Sequence, residues 1–153
     1  MQINHDCIRA LLLYLEDHTG VYKEESTGKY KKFEVSTAQL FDEEYLVKEY
    51  GEDNITYTLI KLIEAKFLEG HKTVEHQGAF YHIKITDITW EGHEFLGNIR
   101  DDTAWSRTKT AAKELGVSSV KGIGVLAWQM FIATLPNFAT PENISLISGL
   151  LTK

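Results

Sequence analysis

The fold is decided by residues 54–105, which read NITYTLIKLIEAKFLEGHKTVEHQGAFYHIKITDITWEGHEFLGNIRDDTAW. Apolar residues first recur at three- and four-residue spacing, as on one face of a helix: Ile55, Leu59, Leu62, Ile63 and Phe67. Apolar and polar residues then alternate, as in a β-strand: Phe80, His82, Ile83, Ile85 and Ile88. Helical spacing returns in ITWEGHEFL, residues 88–96. The stretch therefore predicts a helix, a β-hairpin and a second helix with no linker between them.

This order is typical of a winged helix-turn-helix. We predict an α+β fold, mostly helical, in which residues 1–116 form the winged-helix domain. Residues 117–153 then form an apolar C-terminal helical extension, either packed on the domain or forming an oligomer interface. In this interpretation the helix over 52–69 ends at Gly70, and the wing turns at Gly78 between its two strands.

The flanking elements follow from capping residues and glycines. Asn4 is suited to cap a first helix over about 5–17, and Gly28 marks a turn before a possible strand. Ser36 or Thr37 can cap a short second helix, or two interrupted turns, that Gly51 ends. Thr89 can cap a fourth helix, which we expect to continue to Gly116. A last short helix is predicted to start at Thr140 and Pro141.

Composition limits the function classes. The chain has 153 residues, of which 43% are hydrophobic and 25% charged, and this balance is typical of an ordinary globular domain. Its formal net charge of −6 disfavours strong nonspecific binding to a phosphate backbone. Cys7 has no disulfide partner, and the N-terminal residues lack the pattern of a signal peptide, so we expect a cytoplasmic protein. The apolar stretch after Lys121 is too short for a membrane span.

Three segments carry a family resemblance. They read NHDCIRALLLYLE (4–16), ITYTLIKLIEAKFLEG (55–70) and ITDITWEGHEFLGNIRDDTAWSRTK (85–109). Together they resemble an uncharacterised family of small bacterial and prophage proteins, a domain of unknown function, over about residues 3–115. The resemblance implies a winged-helix fold and carriage on mobile elements, but no activity. The chain departs from the family at 67–69 and in a longer loop over 21–32.

The first candidate function is duplex DNA binding by an accessory or regulatory protein. The start of a recognition helix meets the major groove, which selects four residues of the third helix: Asn54, Tyr57, Thr58 and Lys61. Further cations could contact phosphates: Lys29, Lys31, Lys32, Arg100, Arg107, Lys109 and Lys113. Glu52, Asp53 and Glu64 oppose this interpretation because they lie on the same helix. The alternative is a protein-interaction module whose acidic surface binds a basic host or phage protein.

Enzyme and metal sites are disfavoured by the sequence. No nucleophile elbow, phosphate loop or dinucleotide motif is present, so we predict neither an enzyme nor a cofactor. Cys7 lies on the apolar face of the first helix, as expected of an inert core thiol. His71, His76 and His82 flank the hairpin, but their spacing matches no compact metal motif. His93 is expected to be packed within the fourth helix.

The C-terminal extension carries a second candidate interface. Apolar residues nearly surround the helix after Lys121, which predicts burial on most of its sides. This helix either packs back on its own domain or pairs with a second copy in a homodimer. The candidate interface residues are Trp128, Phe131, Ile132 and Leu135.

Overall fold

The computed structural model describes residues 1–74 and 80–133. It is a mixed α+β structure and mostly helical, as predicted. In chain order its elements are α1 (His5–His18), β1 (Gly20–Lys23), β2 (Tyr30–Phe33), β3 (Val35–Ser36), α2 (Thr37–Asp42), α3 (Glu44–Tyr50), α4 (Glu52–Glu64), β4 (Leu68–Val74), β5 (Phe80–Ile88), α5 (Trp90–Ile99), α6 (Asp102–Leu115) and α7 (Val120–Ala133).

The described strands form two small antiparallel sheets. β1 and β2 pair with each other, and the second sheet has the order β3-β5-β4 with β5 in the centre. The predicted hairpin is therefore confirmed, although its predicted turn at Gly78 and the neighbouring His76 lie outside the described residues.

The third predicted helix is shorter in the structure than the sequence indicates. Its counterpart α4 ends at Glu64 rather than Glu69, and Leu68 already pairs with Ile88 in the sheet. The reason is local, because Lys66 adopts a positive φ of 64°, which turns the chain out of the helix. Gly70, predicted to end the helix, lies within β4, where an added Cβ would approach the Lys84 carbonyl oxygen to 2.6 Å.

The core is built around α1, whose apolar face was predicted. Asn4 caps this helix as expected, since its side chain accepts a hydrogen bond from the Cys7 amide at 3.1 Å. α1 packs against α4, α5 and β5. Its fully buried residues are Cys7, Ile8, Leu11, Leu12 and Leu15. α1 therefore joins the helical elements to the central strand of the larger sheet.

The predicted fourth helix is two helices. Thr89 caps α5 as expected, but α5 ends at Ile99 and Asp101 caps a new helix, α6, by accepting a hydrogen bond from the Ala104 amide at 2.9 Å. The guanidinium of Arg9 donates to the carbonyl oxygens of Ile99 and Arg100, so α1 stabilises the exposed end of α5. The end of α6 at Gly116, with φ of +67°, was predicted correctly.

The prediction that the C-terminal helix is buried on most sides was wrong. Among the described residues, α7 packs on α5 and α6 through a face that consists of Val120, Ile123, Leu126 and Ala127. Its other apolar residues are exposed: Val125, Trp128, Phe131 and Ile132. Leu135 and the helix predicted from Thr140 lie outside the described residues. Within the described ranges, the helices lack the combination of length and hydropathy that spanning a bilayer requires.

Candidate functional site

The outward face of α4 differs from the predicted DNA-reading surface. Thr58 is 1% exposed and packs in the core, so its assignment as a DNA contact was wrong. Asn54 is partly buried, and its amide nitrogen donates to the Tyr50 carbonyl oxygen at 2.9 Å. Lys61 lies 5.5 Å from the centre of the Tyr57 ring and binds the Glu64 carboxylate at 2.6 Å. Of the four residues predicted to contact DNA, Tyr57 and Lys61 are accessible to a ligand. Thr58 is buried, and Asn54 would first have to release the Tyr50 carbonyl oxygen.

The lysines proposed for phosphate contact lie on the β1–β2 hairpin and its turn. Lys31 binds Glu24 of the same hairpin. Lys32 binds Asp87 at 2.9 Å and Glu69 at 3.3 Å, and so connects the hairpin to the base of the β4–β5 pair. Lys29 is exposed in the turn. Since carboxylates already neutralise Lys31 and Lys32, the hairpin presents less positive charge than its sequence indicates.

Of the other cations proposed to contact phosphates, two are paired with carboxylates and two are exposed on α6. Arg100 forms a bidentate salt bridge with Glu16, with N–O distances of 2.6 and 2.7 Å, and Lys109 binds Asp6 at 2.7 Å. Both pairs connect α1 to the chain beyond α5. Arg107 and Lys113 are exposed on α6. The structure therefore does not gather the predicted cations into one basic face.

An acidic surface covers the segment from the end of α2 to the start of α4. Residues 42–53 contain six carboxylates and one lysine. Five of these acids are exposed and Glu43 is partly buried: Asp42, Glu44, Glu49, Glu52 and Asp53. We call these six acids the acidic surface. The sequence predicted an acidic surface without assigning it to this run of residues, although Glu43 and Glu44 were expected to be surface charges and Glu52 and Asp53 to oppose DNA binding.

A cleft borders this acidic surface where α1 meets the start of α3. Its polar and aromatic lining consists of Tyr14, Asp17, His18, Glu43 and Tyr45. The Tyr14 hydroxyl donates to the Glu43 carboxylate at 3.1 Å, and the His18 ring stacks on the Tyr14 ring with centroids 3.9 Å apart. Burial, together with the hydrogen bond and the charge of Glu43, raises the pKa of Tyr14 to about 12. Burial also raises the pKa of Tyr45, again assisted by Glu43. The carboxylates of Asp17 and Glu43 place negative charge in the lining of this cleft.

A second pocket, of about 430 Å³, opens between α5 and α7. Its floor is formed by the rings of Phe67 and Phe95, whose centroids are 5.0 Å apart. Gly124, Val125 and Trp128 line it from the α7 side. We call this the aromatic pocket. The sequence analysis predicted Trp128 as an interface residue but missed the pocket, because its walls come from segments distant in the sequence.

The histidine and cysteine assignments had mixed outcomes. Among residues 1–74 and 80–133, no group of three or more His, Cys, Asp or Glu side chains is placed to hold a metal ion. His71 and His82 are exposed, whereas His93 was expected to be packed and is also exposed, with Nδ1 3.9 Å from the Glu16 carboxylate. Cys7 is buried as predicted, and burial raises the pKa of its thiol to about 11.

These features define a small α+β protein with an acidic surface, a cleft lined by tyrosines and carboxylates, and an aromatic pocket. Residues 2–118 match the family described as Hypothetical protein (DUF2513), and the chain belongs to this family, whose function is unknown. The match confirms the resemblance to an uncharacterised domain family. No curated protein and no solved structure matches the chain significantly.

Proposed function

We propose that this chain is a non-enzymatic winged-helix module that binds a basic protein partner through its acidic surface. The order of elements supports the winged-helix assignment. α1 is followed by the β1–β2 hairpin, by the short strand β3, by three helices ending in α4, and by the β4–β5 hairpin, with β3 added to the edge of β5. In this assignment α4 is the recognition helix and the β4–β5 hairpin is the wing.

The charge of the acidic surface is the observation that carries the choice of ligand. In a winged helix bound to DNA, the start of the recognition helix and the turn before it face the phosphates. Here that region presents Glu52 and Asp53, preceded by Glu49, and Lys61 further along α4 is neutralised by Glu64. Carboxylates facing phosphates lower affinity for DNA, whereas they raise affinity for a lysine- or arginine-rich partner.

The cleft at α1 and α3 offers a place for one basic side chain of that partner. Tyr14 and Tyr45 supply aromatic rings, and Asp17 and Glu43 supply carboxylates within the same lining. A lysine or arginine side chain gains from both kinds of group, through cation–π attraction and through charge pairing. The cleft therefore complements the acidic surface, with which it shares Glu43.

Duplex DNA is the second candidate, for an accessory or regulatory protein of a mobile element. The element order favours it, and Tyr57 and Lys61 on α4 remain reachable. Arg107 and Lys113 on α6 are exposed cations that could contact phosphates. In that case binding depends on Lys61 releasing Glu64 to reach the duplex.

A competition of probes separates the two candidates. Fluorescence anisotropy measures binding to a labelled lysine- and arginine-rich peptide and to a labelled random duplex, each in rising salt. We expect the peptide to bind and to weaken with salt, and the double variant Glu52→Gln, Asp53→Asn to weaken binding severalfold at low salt. The matched control Glu25→Gln, Glu114→Gln removes two exposed carboxylates elsewhere and should have a smaller effect. Equal loss in both double variants, or a duplex bound more tightly than the peptide and lost on Lys61→Glu, contradicts the proposal.

A further inference from the structure

We propose that the chain forms a two-fold symmetric dimer in which Trp128 of each copy enters the aromatic pocket of the other. This inference does not depend on the proposed function, because it uses the α5–α7 side of the molecule rather than the acidic surface. Four steps lead to it: the shape of the pocket, the apolar stripe beside it, the charges at its rim, and the symmetry these charges imply.

Gly124 creates the depth of the pocket. A Cβ at this position would lie 3.3 Å from Cζ of Phe67, closer than an ordinary contact, and 3.8 Å from Cδ2 of Phe95. Because Gly124 has no side chain, the space above the two rings stays open between α5 and α7. The result is a concave apolar site with an aromatic floor, which suits an aromatic side chain that stacks in an offset or edge-to-face arrangement.

An apolar stripe on α7 continues from the pocket into solvent. Val125 is 57% exposed, Trp128 52% and Ile132 47%. Their three- and four-residue spacing places them on one side of the helix. Large neighbouring apolar side chains exposed together are typical of an interface, and tryptophan is the residue type most often found at the energetic centre of one.

The rim of the pocket selects the partner. Its α5 side carries Glu91 and Glu94, its α7 side carries Lys121, and Lys66 lines it from the turn after α4. A wholly basic or wholly acidic partner would meet a like charge on one of these sides. A second copy does not, because a two-fold axis along the pocket brings the α5 side of one copy against the α7 side of the other. The dimer then contains two symmetry-related Lys121–Glu94 contacts, and Trp128 of each copy faces the aromatic pocket of the other copy.

The first test is sedimentation velocity of the full chain across low to high micromolar concentrations. We expect a dimer that dissociates on dilution, and Trp128→Ala to raise its dissociation constant about tenfold or more. The matched control is Trp90→Ala, since Trp90 is 75% exposed at the start of α5 and is not among the residues lining the pocket. Gly124→Ala should weaken the dimer by filling the floor. Circular dichroism melting checks that each variant still folds.

The second test is a charge exchange that only a second copy can satisfy. Lys121→Glu alone and Glu94→Lys alone should each weaken self-association, because both homodimers then oppose like charges. An equimolar mixture of the two variants should associate about as well as the original chain, since the mixed pair restores both Lys–Glu contacts. This rescue depends on pairing across the symmetry axis.

Three outcomes overturn the proposal. An original chain that stays monomeric at high micromolar concentration contradicts the dimer. If Trp128→Ala leaves the dissociation constant of the dimer unchanged, the two copies associate through another surface. Failure of the mixed charge variants to associate, when each alone is folded, rejects the two-fold arrangement.

Discussion

Gly92 lies in the first turn of α5, against the loop that leaves α4. A Cβ added there would come within 2.2 Å of the Phe67 carbonyl oxygen and 2.7 Å of Cγ2 of Ile88. The first of these neighbours is backbone, which cannot move aside without shifting the start of β4. Gly92 therefore fixes how closely α5 approaches the base of the β4–β5 pair, and this explains a glycine in the GHEFL segment in purely steric terms.

Substitution of two glycines in α5 tests this explanation. We expect Gly92→Ala to lower the free energy of unfolding by about 2–4 kcal/mol, because the added methyl group overlaps backbone. Gly97→Ala is the matched control on the same helix, since nothing lies within 4 Å of its Cβ position. It should be neutral or stabilising by up to about 1 kcal/mol, because alanine favours a helix. Urea denaturation measures both, and similar values for the two variants would refute the steric argument.

Residue assignments succeeded where helical spacing determined them. Cys7 and the apolar face of α1 were predicted correctly from spacing alone. Thr58 could also have been recognised, because it shares its helix face with Ile55 and Leu62, both of which are fully buried. The ionic partners could not have been predicted. Arg100 binds Glu16 across 84 residues, and no local pattern identifies such a contact.

At the scale of elements, the joint between α4, β4 and α5 depends on Thr89. Its hydroxyl accepts a hydrogen bond from the Gly92 amide at 3.0 Å and donates one to the Lys66 carbonyl oxygen at 2.7 Å. Its own amide donates to the Phe67 carbonyl oxygen at 3.1 Å. Thr89 thus caps α5 and also holds the turn at which Lys66 takes a positive φ.

Removing this hydroxyl should weaken the joint. We expect Thr89→Ala to lower the free energy of unfolding by about 1–2 kcal/mol, because both hydrogen bonds of the side chain are lost. Thr89→Ser keeps the hydroxyl and should lie within about 0.5 kcal/mol of the original chain. Thermal or urea unfolding followed by circular dichroism provides the measurement. A serine variant as unstable as the alanine variant would show that the methyl group, rather than the hydroxyl, is what matters.

Element boundaries were predictable where a cap or a glycine marks them. Asn4, Ser36, Thr89 and Gly116 all lie where the sequence analysis placed helix ends. The break between α5 and α6 was missed although Asp101, a residue type that favours the N-cap position, marks the start of α6. The contribution of Arg9 could not be predicted, because it reaches the carbonyl groups of Ile99 and Arg100 from α1.

For the whole molecule, α1 is connected to α6 and to the end of α5 by charged groups. The pKa of Glu16 lies below its ordinary value of 4.5, because Arg100 donates two hydrogen bonds to its carboxylate. Burial alone would raise the pKa of Asp6, but hydrogen bonds from Lys109 and Trp105 outweigh it and hold the pKa below 3.8. Both carboxylates are therefore more acidic in the folded chain than in the unfolded chain.

This difference predicts a loss of stability in acid. A carboxyl group whose pKa is lower in the folded state stabilises it fully above the unfolded pKa, and this contribution is lost as the pH falls through the folded value. We expect the free energy of unfolding to decline below about pH 4.5. Arg100→Gln should make that decline shallower, whereas Lys113→Gln, which removes an exposed cation of α6, should leave it unchanged. Urea titrations at pH 7 and at successively lower pH test this, and parallel curves for Arg100→Gln and the original chain would contradict it.

The contacts of α1 also bear on how the chain folds as it is synthesised. Arg9 binds the carbonyl groups of residues 99 and 100, and Asp6 binds Trp105 and Lys109, so these partners of α1 are synthesised about a hundred residues after it. The apolar face of α1 packs on α4, β5 and α5, which are synthesised before α6. The polar contacts that connect α1 to α6 can therefore form only after the first half of α6 has been synthesised.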